Sequence, residues 1–142
     1  MEKTKETMQN LEIKPKDDNT KLAKDYIERV LKQLLIDYQQ TKEERHQIAL
    51  WEETQEFTIL GVIEIFTTDI RGYASQIIAR DNLENRQEIS DNLHKLKIFE
   101  VPYFTQWYFS NKSDYPQIKH YVETLNYLRL LIIEYIHDRH RE

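Results

Sequence analysis

Thr58-Ile59-Leu60-Gly61-Val62-Ile63 is the stretch on which the fold turns. Taken alone it is strand-like, because β-branched residues crowd it. The residues beyond it decide otherwise. Ile59, Ile63, Phe66, Ile70, Tyr73 and Ile77 recur at alternating steps of four and three, the heptad seam of a helix packed on other helices. A helix carrying that seam lies between Gln47 and Arg80. The full span would measure about 50 Å at the helical rise, against about 36 Å for the last helix of the chain. This second helix is therefore expected to overhang, to kink near Gly61 or Gly72, or to be two pieces.

Three further segments carry stripes of the same kind. Toward the N-terminus, Leu22, Tyr26, Ile27, Val30, Leu31, Leu34, Leu35 and Tyr38 make an amphipathic helix with Asn19 or Thr20 as its cap. The polar run from Gln39 to Gln47 holds no Gly or Pro to mark where it ends. Toward the C-terminus, Asp81-Asn82-Leu83-Glu84-Asn85 reads as a linker, and Asn85 with Glu88 as a capping box. The helix that follows places Ile89, Leu93 and Leu96 on one face, and Pro102 is expected to end or bend it. Asp114 with Gln117 suits a second capping box, with Pro116 in the first turn. The last helix then runs to about Asp138 on a stripe of Ile118, Tyr121, Val122, Leu125, Leu128, Ile132, Tyr135 and Ile136.

Two Gly and three Pro in 142 residues leave little material for the tight turns of sheets. The fold class expected is all-α: an antiparallel four-helix bundle, up-down-up-down, with a short extra aromatic helix. Residues 20–142 form its single domain. Residues 1–19 are polar apart from isolated Leu11 and Ile13, bury too little to offset ordering entropy, and are read as a flexible arm. A domain of this size buries roughly 70% of its unfolded surface, so a real core is available.

Composition narrows the partners. The net charge of −5 disfavours broad binding to nucleic acid or to anionic membrane. The absence of cysteine excludes disulfides, thiolate metal sites and cysteine nucleophiles. Met1-Glu2-Lys3-Thr4-Lys5-Glu6 leads into polar residues with no apolar core of a signal peptide, and the most apolar stretches are interrupted by Glu64 or Arg129. A cytoplasmic location is the expectation, with no membrane or nucleic-acid partner.

Any specific chemistry must fit the helix faces. Glu43-Glu44-Arg45-His46 and Glu134-Tyr135-Ile136-His137 have the Glu-x-x-His spacing of carboxylate di-metal bundles, and Asp91-Asn92-Leu93-His94 comes near it. Those ligands must face inward. At 100° per residue Glu134 lies opposite the Ile118–Leu125–Ile132 stripe, and Asp91 and His94 point away from Ile89 and Leu93. His137 and His140 are two ligands where zinc takes three or four, and they suit the negative end of a helix dipole. No metal and no cofactor are assigned. Gly-x-Ser-x-Gly and phosphate-loop patterns are absent. No catalytic residue is assigned, and the chain is not read as an enzyme.

His94-Lys95-Leu96-Lys97 resembles the His-x-Leu-Lys-Gly signature of histidine phosphotransfer domains, which are helical bundles with a surface histidine. The resemblance implies a phosphoryl-accepting His94 with Lys97 beside it. It covers those four positions alone and departs at Ile98, where the family has glycine. On a continued helix Ile98 would crowd His94.

The remaining signal is aromatic. Tyr103, Phe104, Trp107, Tyr108 and Phe109 fall within seven residues. Either Phe104, Trp107 and Phe109 cap an open end of the core, or Tyr103, Trp107 and Tyr108 form a contact surface, since Trp and Tyr are favoured at interfaces. So short a helix has one buried face. Tyr103 and Tyr108 are therefore expected at the rim, with Trp107 bridging rim and core. The function read from the sequence is a non-enzymatic protein-binding or regulatory module, its partner another protein or a second copy of the chain. The alternatives are phosphotransfer through His94, and binding of a small apolar ligand within the bundle among Tyr26, Tyr38, Tyr73, Tyr121 and Tyr135.

Overall fold

The computed structural model describes residues 24–51 and 58–140. The expected arm over residues 1–19, the cap at Asn19 or Thr20, and Leu22 lie outside the described residues. The described residues form six α-helices: α1 (Lys24–Gln40), α2 (Lys42–Trp51), α3 (Ile59–Ala79), α4 (Leu83–Lys95), α5 (Pro102–Asn111) and α6 (Pro116–His140). Short 3-10 turns at Ile98–Glu100 and Lys112–Asp114 flank α5, and no strand occurs among the described residues. None of these helices is long and apolar enough to cross a membrane.

The polar run after α1 is helical. It forms α2, which turns Ile48 into the core and leaves Glu43, His46 and Leu50 outside. The seam helix begins at Ile59 and continues unbroken past Gly72. Its start explains Gly61. Thr58 Oγ1 accepts the Gly61 N–H at 2.8 Å, and a Cβ on residue 61 would lie 2.7 Å from that oxygen. Glycine leaves room for the cap, so the strand-like stretch is an N-terminus with its cap built in.

The α3 seam is buried at Ile59, Ile63, Ile70 and Ile77, while Phe66 and Tyr73 are only half-buried; Thr67 and Ala74 take the inner positions beside them. In α6 every stripe residue expected inside is inside, and Thr124, Tyr127, Arg129 and Leu131 join them. The reason is position: α6 packs against α1, α3 and α4, so it has little free face. Fully burying one Leu or Ile contributes about 1.5–3 kcal/mol, so this central helix carries much of the core.

Four expectations about boundaries and faces need correction. Leu35 is 39% exposed, and the α1 stripe of Tyr26, Ile27, Val30 and Leu34 continues instead through Asp37 and Thr41. Asn82, not Asn85, caps α4; its Oδ1 accepts the Asn85 N–H at 2.8 Å, while the Asn85 side chain donates back to the Arg80 carbonyl. That helix ends at Lys95, before Pro102. The Leu93 carbonyl accepts both the Leu96 N–H at 3.1 Å and Arg129 Nε–H at 2.7 Å, which closes the last turn. Pro102 then opens α5, where its missing N–H leaves no helical bond unmade. Asp114 is not the cap of α6. Glu44 reaches across from α2 and accepts the N–H groups of Gln117 at 3.0 Å and Ile118 at 2.8 Å.

Candidate functional site

The aromatic segment folds into α5 because Pro102 starts it and Asn111 closes it, the Asn111 amide donating to the Trp107 carbonyl at 2.8 Å. Its inner rings interlock. Phe104 stacks on Tyr108 with centroids 5.7 Å apart, Tyr108 meets Phe99 at 5.2 Å and Phe109 at 5.1 Å, and Trp107 meets Tyr115 at 5.5 Å. Tyr108 is buried, contrary to its expected place at the rim. Burial, with the charge of Glu123 adding to it, pushes its phenol well above the ordinary tyrosine range. Phe104 and Trp107 are buried too. Tyr103 and Phe109 remain outside, 40% and 36% exposed, on an arc shared with Pro102, Gln106 and Ser110. The Lys112 ammonium sits 4.9 Å from the Phe109 ring centre, a cation–π distance. Of the three expected contact residues, the surface holds Tyr103; Trp107 and Tyr108 lie beneath it.

His94 and Lys97 part company. His94 is exposed on the last turn of α4, its Nδ1 2.7 Å from the Ser90 carbonyl oxygen. A carbonyl only accepts, so Nδ1 carries the proton and Nε2 holds the lone pair of the neutral ring. The helix has ended by Lys97, whose ammonium lies 3.8 Å from Glu100. Ile98 turns into the core and is 2% exposed, so it does not crowd His94 as a continued helix would.

Four of the five core-facing tyrosines, Tyr26, Tyr38, Tyr121 and Tyr135, are engaged with the protein itself. Tyr26 and Tyr127 share a hydrogen bond of 2.8 Å between their hydroxyls, Tyr121 pairs with Thr67 at 2.8 Å, and Tyr135 donates to Asp81 at 2.5 Å. Burial raises the Tyr121 phenol to about 12, although the Thr67 hydrogen bond pulls the other way. Tyr38 lies under the Arg45 guanidinium at 4.1 Å. Asp81 also receives Arg86 Nε at 2.5 Å. Burial alone would raise its carboxyl, but the hydrogen bonds from Arg86 and Tyr135 and the charges of Arg86 and Lys24 outweigh that and hold it below the usual range.

Sequence reasoning missed a polar cluster between α1 and α6. Asp37 is 5% exposed. Its Oδ1 accepts Gln33 Nε2–H at 2.9 Å, and its Oδ2 lies 3.0 Å from His120 Nε2. Thr124 donates to the His120 carbonyl at 3.0 Å and lies 3.5 Å from the same carboxylate oxygen. The signal was available: Asp37 falls three residues after Leu34 and seven after Val30, on the buried stripe itself. A carboxylate at such a place requires donors from a neighbouring helix.

Elsewhere, an open groove of about 370 Å³ between α2 and α3 is lined by Lys42, Arg45, His46, Ala49, Leu60 and Glu64, with Glu43 at its side. Among the described residues no three His, Asp or Glu side chains are grouped so as to hold a metal ion. Comparison with known protein families, with curated proteins and with solved structures finds no match.

Proposed function

We propose that the chain is a non-enzymatic, protein-binding or regulatory helical module. In this reading α1, α3, α4 and α6 make an antiparallel up-down-up-down bundle, with α5 as the short aromatic helix added to it. The reading places the chain in the cytoplasm, with a protein partner rather than nucleic acid or membrane. The net charge of −5 supports the exclusion of nucleic acid.

One observation carries the proposal. Tyr103 and Phe109 stand exposed on a helix whose inner rings are locked by packing. A rigid aromatic surface loses little conformational entropy on binding, which favours contact residues of this type. Trp107 and Tyr108 then act as the support of the surface and Tyr103, Gln106 and Phe109 as its face. The test compares wild type with a Tyr103→Ala, Phe109→Ala double variant by sedimentation and by pull-down. The variant is expected to fold and to lose the bound protein, or the dimer mass if the partner is a second copy. Identical partners and identical mass in both proteins would reduce α5 to a cap on the core.

A second reading, phosphotransfer through His94, is favoured by the Nε2 lone pair of an exposed ring and by Ile98 turning into the core. Transfer from a phosphorylated donor domain to wild type but not to His94→Gln would support it.

A further inference from the structure

We propose that His120, held by the buried carboxylate of Asp37, is a phosphoryl-accepting site that reacts through Nδ1 with a P–N phosphoryl donor. The proposal is independent of the aromatic surface, and it competes with His94.

The two nitrogens of the His120 ring have different surroundings. Nε2 faces Asp37 Oδ2 at 3.0 Å, and the carboxylate is an acceptor, so Nε2 carries the proton. The lone pair of the neutral ring is then on Nδ1. Among the described residues the His120 ring makes no other hydrogen bond, and Nδ1 is not among the buried, unsatisfied atoms. The side chain is 38% exposed, so Nδ1 is an unpartnered nucleophile that reaches the surface. His94 has the opposite tautomer, fixed by the neutral Ser90 carbonyl.

The partner makes the difference. When an imidazole nitrogen attacks an electrophile the ring becomes cationic. A fixed carboxylate on the far nitrogen stabilises that charge and holds the ring in position, as an orienting acid does in nucleophilic sites. Asp37 is itself fixed, by Gln33 on Oδ1 and by its burial. The neighbouring acids are already engaged: Glu44 with the N–H groups that open α6, and Glu123 with Lys119 at 2.8 Å.

The step balances without a further reagent. The Nδ1 lone pair forms the N–P bond. The donor P–N bond breaks, its electron pair goes to the donor nitrogen, and that nitrogen leaves as ammonia with the three protons it held in the zwitterion. The ring keeps its Nε2 proton toward Asp37 and carries the positive charge.

The experiment treats the full chain with phosphoramidate at neutral pH and maps phosphohistidine over the chain's five histidines without acid exposure. His120 is expected to be labelled at least about tenfold faster than His94, the scale of one hydrogen bond to a charged group. Phosphorus–proton NMR should place the group on Nδ1. Equal rates at His120 and His94, or an Nε2 product at His120, would overturn the proposal. Asp37→Asn should lower His120 labelling roughly tenfold while leaving His94 labelling unchanged, with far-UV circular dichroism reporting that the variant is folded. Unchanged His120 labelling in that folded variant would overturn the role of Asp37. If Asp37→Asn does not fold, the rates and the isomer found in wild type decide alone.

Discussion

Two of the described helices have an end closed by a charge borrowed from another helix. Glu44 of α2 covers the start of α6, accepting two backbone N–H groups. Arg129 of α6 covers the end of α4, donating to the Leu93 carbonyl. Each charge has the sign that the helix dipole favours at that end. They differ in burial: Arg129 is 6% exposed, whereas Glu44 is half-buried at a helix start open to water. Burial lowers the tendency of the Arg129 guanidinium to stay charged, although the charge of Glu100 works the other way. The same electrostatic device is thus set once in the core and once at the surface, and the two should differ in what their removal costs.

The largest effect is expected at the buried end. Arg129→Ala removes the hydrogen bond to Leu93 and the packed aliphatic stem together, and should cost about 3 kcal/mol in chemical denaturation. Arg129→Met separates the two. The Leu93 carbonyl would still accept the Leu96 N–H, so no acceptor is orphaned, and the loss should fall to about 1 kcal/mol. Equal losses for Ala and Met would mean that the guanidinium, and not its stem, holds the end of α4.

A third charge, Asp81, sharpens the comparison through pH. Asp81 sits past the end of α3 and ties α4 and α6 to it through Arg86 and Tyr135. Its folded carboxyl titrates below the ordinary value of 3.8. The stability it contributes is therefore complete above that ordinary value and is lost as the pH falls through the lower, folded one. Asp81→Asn should cost about 1–2 kcal/mol at neutral pH, and the gap from wild type should close in acid. A gap that is constant down to the acid transition would show that the hydrogen-bonding shape matters and the charge does not.

The helices were legible in the sequence because burial repeats at 3.6 residues, and α6 displayed its stripe from Ile118 to Ile136 without interruption. What periodicity could not show was any position where a polar residue takes a core place. Asp37 stands on the α1 stripe, yet hydropathy assigns the place to its neighbour Leu35. Donors on Gln33, four residues away, and on His120 and Thr124, more than eighty residues away, make the carboxylate tolerable there. The caps failed for a related reason. A capping box is local, and Asp114 with Gln117 has the right spacing, but Glu44 supplies the cap from seventy-three residues upstream. In α5 the five aromatics were visible and their order was not. Tyr108 went inside and Phe109 outside: Phe104, one turn back on the same helix, stacks on Tyr108, and Phe99 packs on it from the preceding 3-10 turn. The candidate site at Asp37 and His120 is therefore hard to read from the sequence, since the contact that defines it joins two helices.

The smallest effect expected is at the exposed cap, and it tests whether charge or shape holds α2 to the start of α6. Glu44→Gln keeps a carbonyl-type oxygen that can accept the Ile118 N–H. It gives up the second acceptor and the negative charge facing the helix start. A charge at an exposed helix terminus is worth about 0.3–1 kcal/mol, and a lost cap about 0.5–2 kcal/mol. Since one hydrogen bond survives, Glu44→Gln should cost about 0.5–1 kcal/mol by the same two measures. That cost should shrink at high salt, because the site is open to screening. Glu44→Ala should cost more, and that further loss should be insensitive to salt, because it reports the hydrogen bonds alone. If Gln costs as much as Ala at every salt concentration, the two N–H groups require both carboxylate oxygens. The surface cap would then be a geometric clamp like the one at Leu93, and its difference from the buried end would lie in exposure alone.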